Sequence, residues 1–306
     1  MVVRPRPGLF EILFTLQGSV LPEIAPKVLG IAALACVSVW IERRAPNLFP
    51  VEGGIGPFTL IGLALSIFLS FRNTACYDRW WEARRAWGTL IVEVRSLARL
   101  VPALLPGEAQ AGLRARVLRR TAGFAHALHA RLRDADAQAA AAPWLPAEEV
   151  RGLAASPCPP DTVLAGLGAD LGEALRGGAL SDVSFGILEG KVAALSSIQA
   201  VCERIKDTPL PFAYTLLLYR TAWLYCLLLP FGLAALLGWA TPFAAALVAY
   251  TFFGLDALGD ELEEPFGLAA NDLPLDALLR TVDATVLHAL GEPPPPPASV
   301  VGYVMR

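Results

Sequence analysis

The chain has 306 residues, 55% of them hydrophobic and only 17% charged, with a mean hydropathy of +0.51. Soluble domains carry about 25% charged residues, so a surface this poor in charge cannot all face water, and a wholly soluble protein is excluded. The formal net charge of −3 lacks the basic excess of a nucleic-acid binder. The five cysteines, Cys36, Cys76, Cys158, Cys202 and Cys226, show no metal-ligand spacing and read as packing residues in a reducing compartment.

Residues 1–27 carry Arg4 and Arg6 but no compact apolar core with a small-residue cleavage site, so no cleaved signal peptide is expected. The first apolar stretch is Val28–Ile41, bounded by Lys27 and by Glu42, Arg43 and Arg44. Residues 42–56 hold Pro46, Pro50, Gly53, Gly54 and Gly56, all turn signals. The second stretch, Pro57–Phe71, ends abruptly at Arg72, with Pro57 suited to a first helical turn. Arg72 and Asn73 then begin a polar extension of the same helix, and 77–101 keeps a helical apolar period with arginines on the other face. Residues 109–133 and 183–205 show the same period, while the Ala- and Pro-rich segment 135–165 reads as one short helix with loops. The third stretch, Thr221–Trp239, approaches the roughly 20 residues that span a bilayer. Ala240 and Thr241 join it to the fourth, Pro242–Leu255. The tail GEPPPPPASV (291–300) reads as extended polyproline.

The three shorter stretches span a bilayer if flanking helical turns lengthen them or neighbouring subunits shield their ends. Two hairpins on either side of a charged stretch then put that stretch and both termini on one side. Arg72, Arg79, Arg84 and Arg85 after the second stretch, with Arg204 and Lys206 before the third, make that side cytoplasmic; Arg43 and Arg44 oppose this but are outnumbered. The expected organisation is an N-terminal cytosolic segment (1–27), a first transmembrane hairpin (28–71), a helical cytosolic domain (72–220), a second transmembrane hairpin (221–258) and a cytosolic C-terminal segment with the proline-rich tail (259–306).

Function is sought first in Pro57–Phe71. Leu63, Ile67 and Phe71 fall at i, i+4 and i+8 and form one stripe; Gly62, Ser66 and Ser70 form another. Packing of the small stripe against copies of the helix would turn the large one toward a shared axis. Rings of Leu, Ile and Phe there would form a dry constriction able to gate ions by dewetting. The alternative is that the large stripe faces lipid or a core. Trp80, Trp81 and Trp87 suit either a membrane boundary or ordinary packing.

At these residues the chain resembles the bestrophin family, in its bacterial branch. The resemblance is carried by FLSFRNTACYDRWWEARRAWG (68–88), CERIKDTPLPFAYTLLLYRT (202–221) and DELEEPFGLAANDLPLD (260–276), in that order, and extends over most of 5–290. It implies an all-α membrane protein of the bacterial inner membrane: a homopentamer around a five-fold axis, with four transmembrane helices in two hairpins and a large helical cytosolic domain. It implies an ion channel whose neck is lined by Leu63, Ile67 and Phe71. A second, cytosolic constriction falls at Ile187, with Phe185 and Gly186 as alternative registers. Animal members hold calcium with an acidic run after PFG. Here that run is absent, although Glu263, Glu264, Asp272 and Asp276 lie near, and no calcium cofactor is expected. The expected ion is a monovalent cation, with chloride or another anion as the alternative; the partners are further copies of this chain and membrane lipid.

Asp256, Asp260 and Glu264 form an i, i+4, i+8 stripe, with Glu263 beside it. This acidic cluster either draws cations to a pore mouth or, the preferred reading, pairs with arginines between subunits, Arg72, Arg79 and Arg84 being the candidates. An enzyme is not expected: His126 and His129 lack a further ligand nearby, and GILEGK (186–191) lacks the full phosphate-loop spacing. A non-conducting membrane scaffold of the same architecture remains the other reading.

Overall fold

Apolar runs too short to cross a bilayer gain length where their polar flanks stay helical, and the backbone has good reason to do so. Inside hydrocarbon every N–H and C=O must be paired within the segment. In the computed structural model, which describes residues 8, 15–16, 18–45, 56–296, 300–301 and 303–305, the four apolar stretches lie in longer helices, the third except for Gly238 and Trp239 at its end. They are α1 (Leu21–Arg44), α2 (Gly56–Leu104), α8 (Phe212–Leu237) and α9 (Thr241–Glu263). Between them come α3 (Ala111–Leu132), α4 (Ala137–Ala141), α5 (Ala147–Leu153), α6 (Pro159–Arg176) and α7 (Asp182–Asp207), and α10 (Leu275–Leu290) follows α9.

The turn residues expected at 46–55 and the arginines Arg4 and Arg6 lie outside the described residues. The second hairpin turn is described. Gly238 adopts a positive φ of 51° and opens a short 3-10 turn, Gly238–Ala240, before Pro242 enters the first turn of α9. The segment 135–165 departs from the expectation of one short helix. It holds α4 and α5, and Pro159 and Pro160 start α6, because a proline ring pre-sets φ for a first helical turn and its missing N–H would have had no partner there. Of the proline tail, 292–296 has no regular secondary structure and Pro297 is outside the described residues; the Arg280 guanidinium donates to the Pro296 carbonyl at 3.0 Å. An unanticipated two-residue antiparallel ladder, Val300–Val301 with Val304–Met305, follows.

The described residues form two compact units. One comprises the described parts of Arg4–Trp80 and Pro209–Pro265. Its core joins Ile24, Ile31 and Ala35 of α1, Leu65 and Leu69 of α2, Ala222 and Cys226 of α8, and Ala245, Ala249 and Phe253 of α9. Small residues set the helix spacing: a side-chain carbon added at Gly232 would meet the Phe58 ring at 2.6 Å. At the far end of α1, Arg43 stands over the Trp239 ring at 5.5 Å and Arg44 over Trp40 at 5.1 Å. The two arginines that opposed the topology assignment are therefore held on exposed tryptophans, a pairing suited to a membrane boundary.

The other unit comprises Trp81–Thr208 and the described part of Phe266–Arg306. Its core is built on α3, which packs on α6 and α10 and buries Phe124 and Leu128. The units divide after Trp80 and after Thr208, later than Phe71 and earlier than Thr221, where the apolar runs end and begin. By length and composition α1, α2, α7 and the α8–α9 stretch could each cross a membrane. The window in α7 has the lowest hydropathy, 1.2 against 2.0 for α1, and this helix exposes Gly186, Gly190 and Ser197. All five cysteines are free; Cys76, Cys202 and Cys226 are buried as expected, whereas Cys36 is exposed on α1.

Candidate functional site

The candidate neck lies on α2. This helix buries Leu65, Leu69, Arg72 and Cys76 at spacings of four, three and four residues, so the opposite face is left open. Leu63, Ile67 and Phe71 lie on that open face and are 59%, 46% and 63% exposed. The small stripe divides. Gly62 sits under the Tyr225 ring of α8, where an added carbon would come within 2.7 Å of the phenol oxygen, while Ser66 and Ser70 are exposed. Gly62 thus packs within its own chain, where the sequence suggested copies of the same helix. Backbone around the stripe is fixed by side chains: the Ser66 hydroxyl donates to the Gly62 carbonyl at 2.8 Å and the Tyr214 hydroxyl to the Phe68 carbonyl at 3.0 Å.

Immediately after Phe71, the fully buried Arg72 is the centre of a charge cluster. Its guanidinium donates to Asp256 at 2.9 Å, to Asp260 at 2.5 Å and to Glu263 at 3.4 Å, all on α9. The Arg79 side chain donates to the Glu263 carbonyl at 2.7 Å, and the Leu210 N–H to the Glu263 carboxylate at 3.0 Å. Gly259 makes room: a carbon there would stand 2.7 Å from Asn73 Oδ1 and 3.0 Å from Arg72. The pairing expected between subunits is therefore made within one chain. Its members are Asp256, Asp260 and Glu263; Glu264 is exposed, and Arg84 belongs to the other unit. A helix turns 400° in four residues and 700° in seven, so positions 256, 260 and 263 share one face as well as 256, 260 and 264 do.

In the other unit Ile187 is 43% exposed near the start of α7; Gly186 is also exposed and Phe185 is half-buried. GILEGK lies in the N-terminal part of this helix and forms no loop. His126 and His129 each face a carboxylate of α10, Asp283 at 2.8 Å and Asp276 at 2.7 Å. Asp276 also accepts from Arg133 at 2.9 Å. The His129 imidazole beside it, with Arg133 adding to the effect, holds the Asp276 carboxyl down at about 2. Asp272 accepts from the Ala269 N–H at 2.6 Å, closing the turn before α10. Two of the carboxylates near the PFG motif are thus engaged in holding this unit together. Trp87 is fully buried edge-on to His129, whereas Trp81 is 45% exposed.

Long apolar helices, an extensively helical second unit and an open apolar stripe next to a buried charge cluster define an all-helical, multi-pass membrane protein. The family described as "Bacterial/Fungal Bestrophin protein" matches residues 1–288, and the chain belongs to the bestrophin family. Among its relatives is a protein of Mesorhizobium japonicum named voltage-dependent anion channel-forming protein, 47% identical over 96% of this chain and 94% of the relative. The Escherichia coli protein YneE, with the same descriptive name, is 39% identical over 94% of this chain and 93% of its own. The crystal structure of a bacterial bestrophin homolog from Klebsiella pneumoniae superposes with a TM-score of 0.82 at 37% identity, covering 89% of this chain and 100% of that one. The chain is accordingly a bestrophin-like channel protein and not an enzyme.

Proposed function

We propose that this chain forms a homopentameric channel that passes monovalent anions through a hydrophobic neck. The observation that carries the neck is the exposure of Leu63, Ile67 and Phe71, three large apolar side chains one turn apart on a helix whose other face is buried. Five copies around an axis would close these into rings that ions cross only when the rings are wetted. Ile187 would supply a second ring in the cytosolic part. The four hairpin helices cross the membrane, with residues 72–220 and both termini in the cytoplasm, as the arginines following Phe71 favour.

Two things turn the choice of ion toward anions and away from the cation expected at first. Relatives 47% and 39% identical are named as anion channel-forming. The acidic cluster that would draw cations is in large part spent on Arg72. A cation channel is the second reading, favoured by Asp260, whose side chain is 58% exposed and leaves the cluster with three carboxylates around one buried guanidinium. Reversal potential under a salt gradient, with the purified assembly in a planar bilayer, separates the two. A value near the chloride equilibrium supports the anion channel. A value near that of the cation overturns it and makes Asp260 the next target.

A further inference from the structure

Several arginines of the Trp81–Thr208 unit stand against carboxylates: Arg119 on Glu292, Arg120 on Glu149 and Asp170, Arg133 on Asp276. Arg95 and Arg99 of α2 make no ion pair among the described residues; Arg99 reaches only the Ser96 hydroxyl, at 3.5 Å. Both are exposed and line an open surface cavity of about 490 Å³ whose other wall is α10, with Thr281, Thr285 and His288. No carboxylate lines it, and Ala98, Ala284 and Ala289 complete an otherwise apolar surface.

The two threonines have already spent their hydroxyl protons. Thr281 donates to the Ala277 carbonyl at 3.1 Å and Thr285 to the Thr281 carbonyl at 2.8 Å, so both present lone pairs to the cavity. Two carbonyls near the end of α10 are likewise occupied: the Gly291 N–H reaches those of Leu287 and His288, and the Glu292 N–H that of Leu287. The cavity therefore offers two guanidinium forks one helical turn apart, an imidazole, two acceptors and a small apolar floor. Guanidinium forks match phosphate oxygens bidentately. The groove is open to solvent, with Arg95, Arg99 and His288 exposed, and leaves room for an organic body beside the anion.

We propose that this cavity binds a small organic phosphate, its phosphoryl group on Arg95 and Arg99 and its hydroxyls on Thr281 and Thr285. The site is independent of the ion the channel conducts. The test is isothermal titration of the full-length assembled protein in detergent with glucose 6-phosphate, inorganic phosphate and glucose. Glucose 6-phosphate is expected to bind saturably and glucose not to bind. Inorganic phosphate binding equally well would support the phosphoryl contact and make the free ion the ligand. The double variant Arg95→Gln/Arg99→Gln should weaken binding at least about tenfold, with an unchanged elution volume on gel filtration. Ala284→Glu, which keeps both arginines but places a carboxylate in the cavity, should do the same. Absence of saturable heat with both phosphates, or an undiminished affinity in the double variant, would overturn the proposal, the latter assigning the binding to another part of the assembly.

Discussion

Arg72 shows what one residue can decide. A guanidinium with no exposed surface is tolerable only where carboxylates and their geometry offset its desolvation, and α9 supplies three. Asp256, only 7% exposed, depends on Arg72 in turn. Arg72→Met should leave that carboxylate buried without its partner and cost about 3 kcal/mol, read as a lower thermal midpoint of the purified assembly. Adding Asp256→Asn should restore part of the loss, since it removes the stranded charge. An equally low midpoint in the double variant would mean that packing of the Arg72 stem, and not the charge pair, is what the chain needs there. The abrupt change at Phe71-Arg72 was legible in the sequence, and so was the acidic stripe. That the two meet inside one chain was not, because an i, i+4 pattern gives a face and never says what that face touches.

At the scale of elements, the helical period of 109–133 and 183–205 located α3 and α7 within a few residues, whereas α1 begins seven residues before Val28, α8 begins nine before Thr221 and α9 ends eight after Leu255, because the flanks of the apolar runs stay helical. The segment 135–165 holds more helix than the single short one expected, for an identifiable reason: Pro159 and Pro160 occupy the first turn of α6, where proline is favourable. The contact of α3 with α10 rests on the pairs His126–Asp283, His129–Asp276 and Arg133–Asp276. Because Asp276 is lowered from 3.8 to about 2, its contribution is fully present above pH 4 and lost as pH falls through about 2. For a group shielded from water that lowering is worth about 2.5 kcal/mol. Asp276 is 42% exposed, and screening reduces it to about 1 kcal/mol. Asp276→Asn should therefore lower the thermal midpoint by about 2 °C near neutral pH. The gap between wild type and variant should narrow as the pH is taken from 4 toward 2; a gap that widens on acidification would contradict the assignment.

For the whole molecule the proposed neck makes a prediction about flux. Replacing Leu63, Ile67 and Phe71 together by Ala should widen the constriction and raise single-channel conductance several-fold. The assembly should survive, since all three side chains are exposed and none belongs to the core of the hairpin unit. Unchanged conductance in the triple variant would place the gate elsewhere, with Ile187 the next position to test. Current appearing only in the triple variant would show that the wild-type assembly is a closed channel and not a scaffold.

The sequence by itself determined the class of this protein. Charge content fixed that much of the surface avoids water, the apolar runs marked four long apolar helices, and long motifs around Arg72, Cys202 and Glu263 placed the chain in its family. Only the tertiary structure decided which residues are spent and which are free. Periodicity puts Gly62 and Leu63 on neighbouring faces of one helix; packing against Tyr225 buries the first and leaves the second open. Arg72 and Arg95 are the same residue type on the same helix, yet one is enclosed by three carboxylates and the other lines a cavity with none. That difference lies in what other helices bring against them, and helical spacing along one chain segment carries no information about its neighbours.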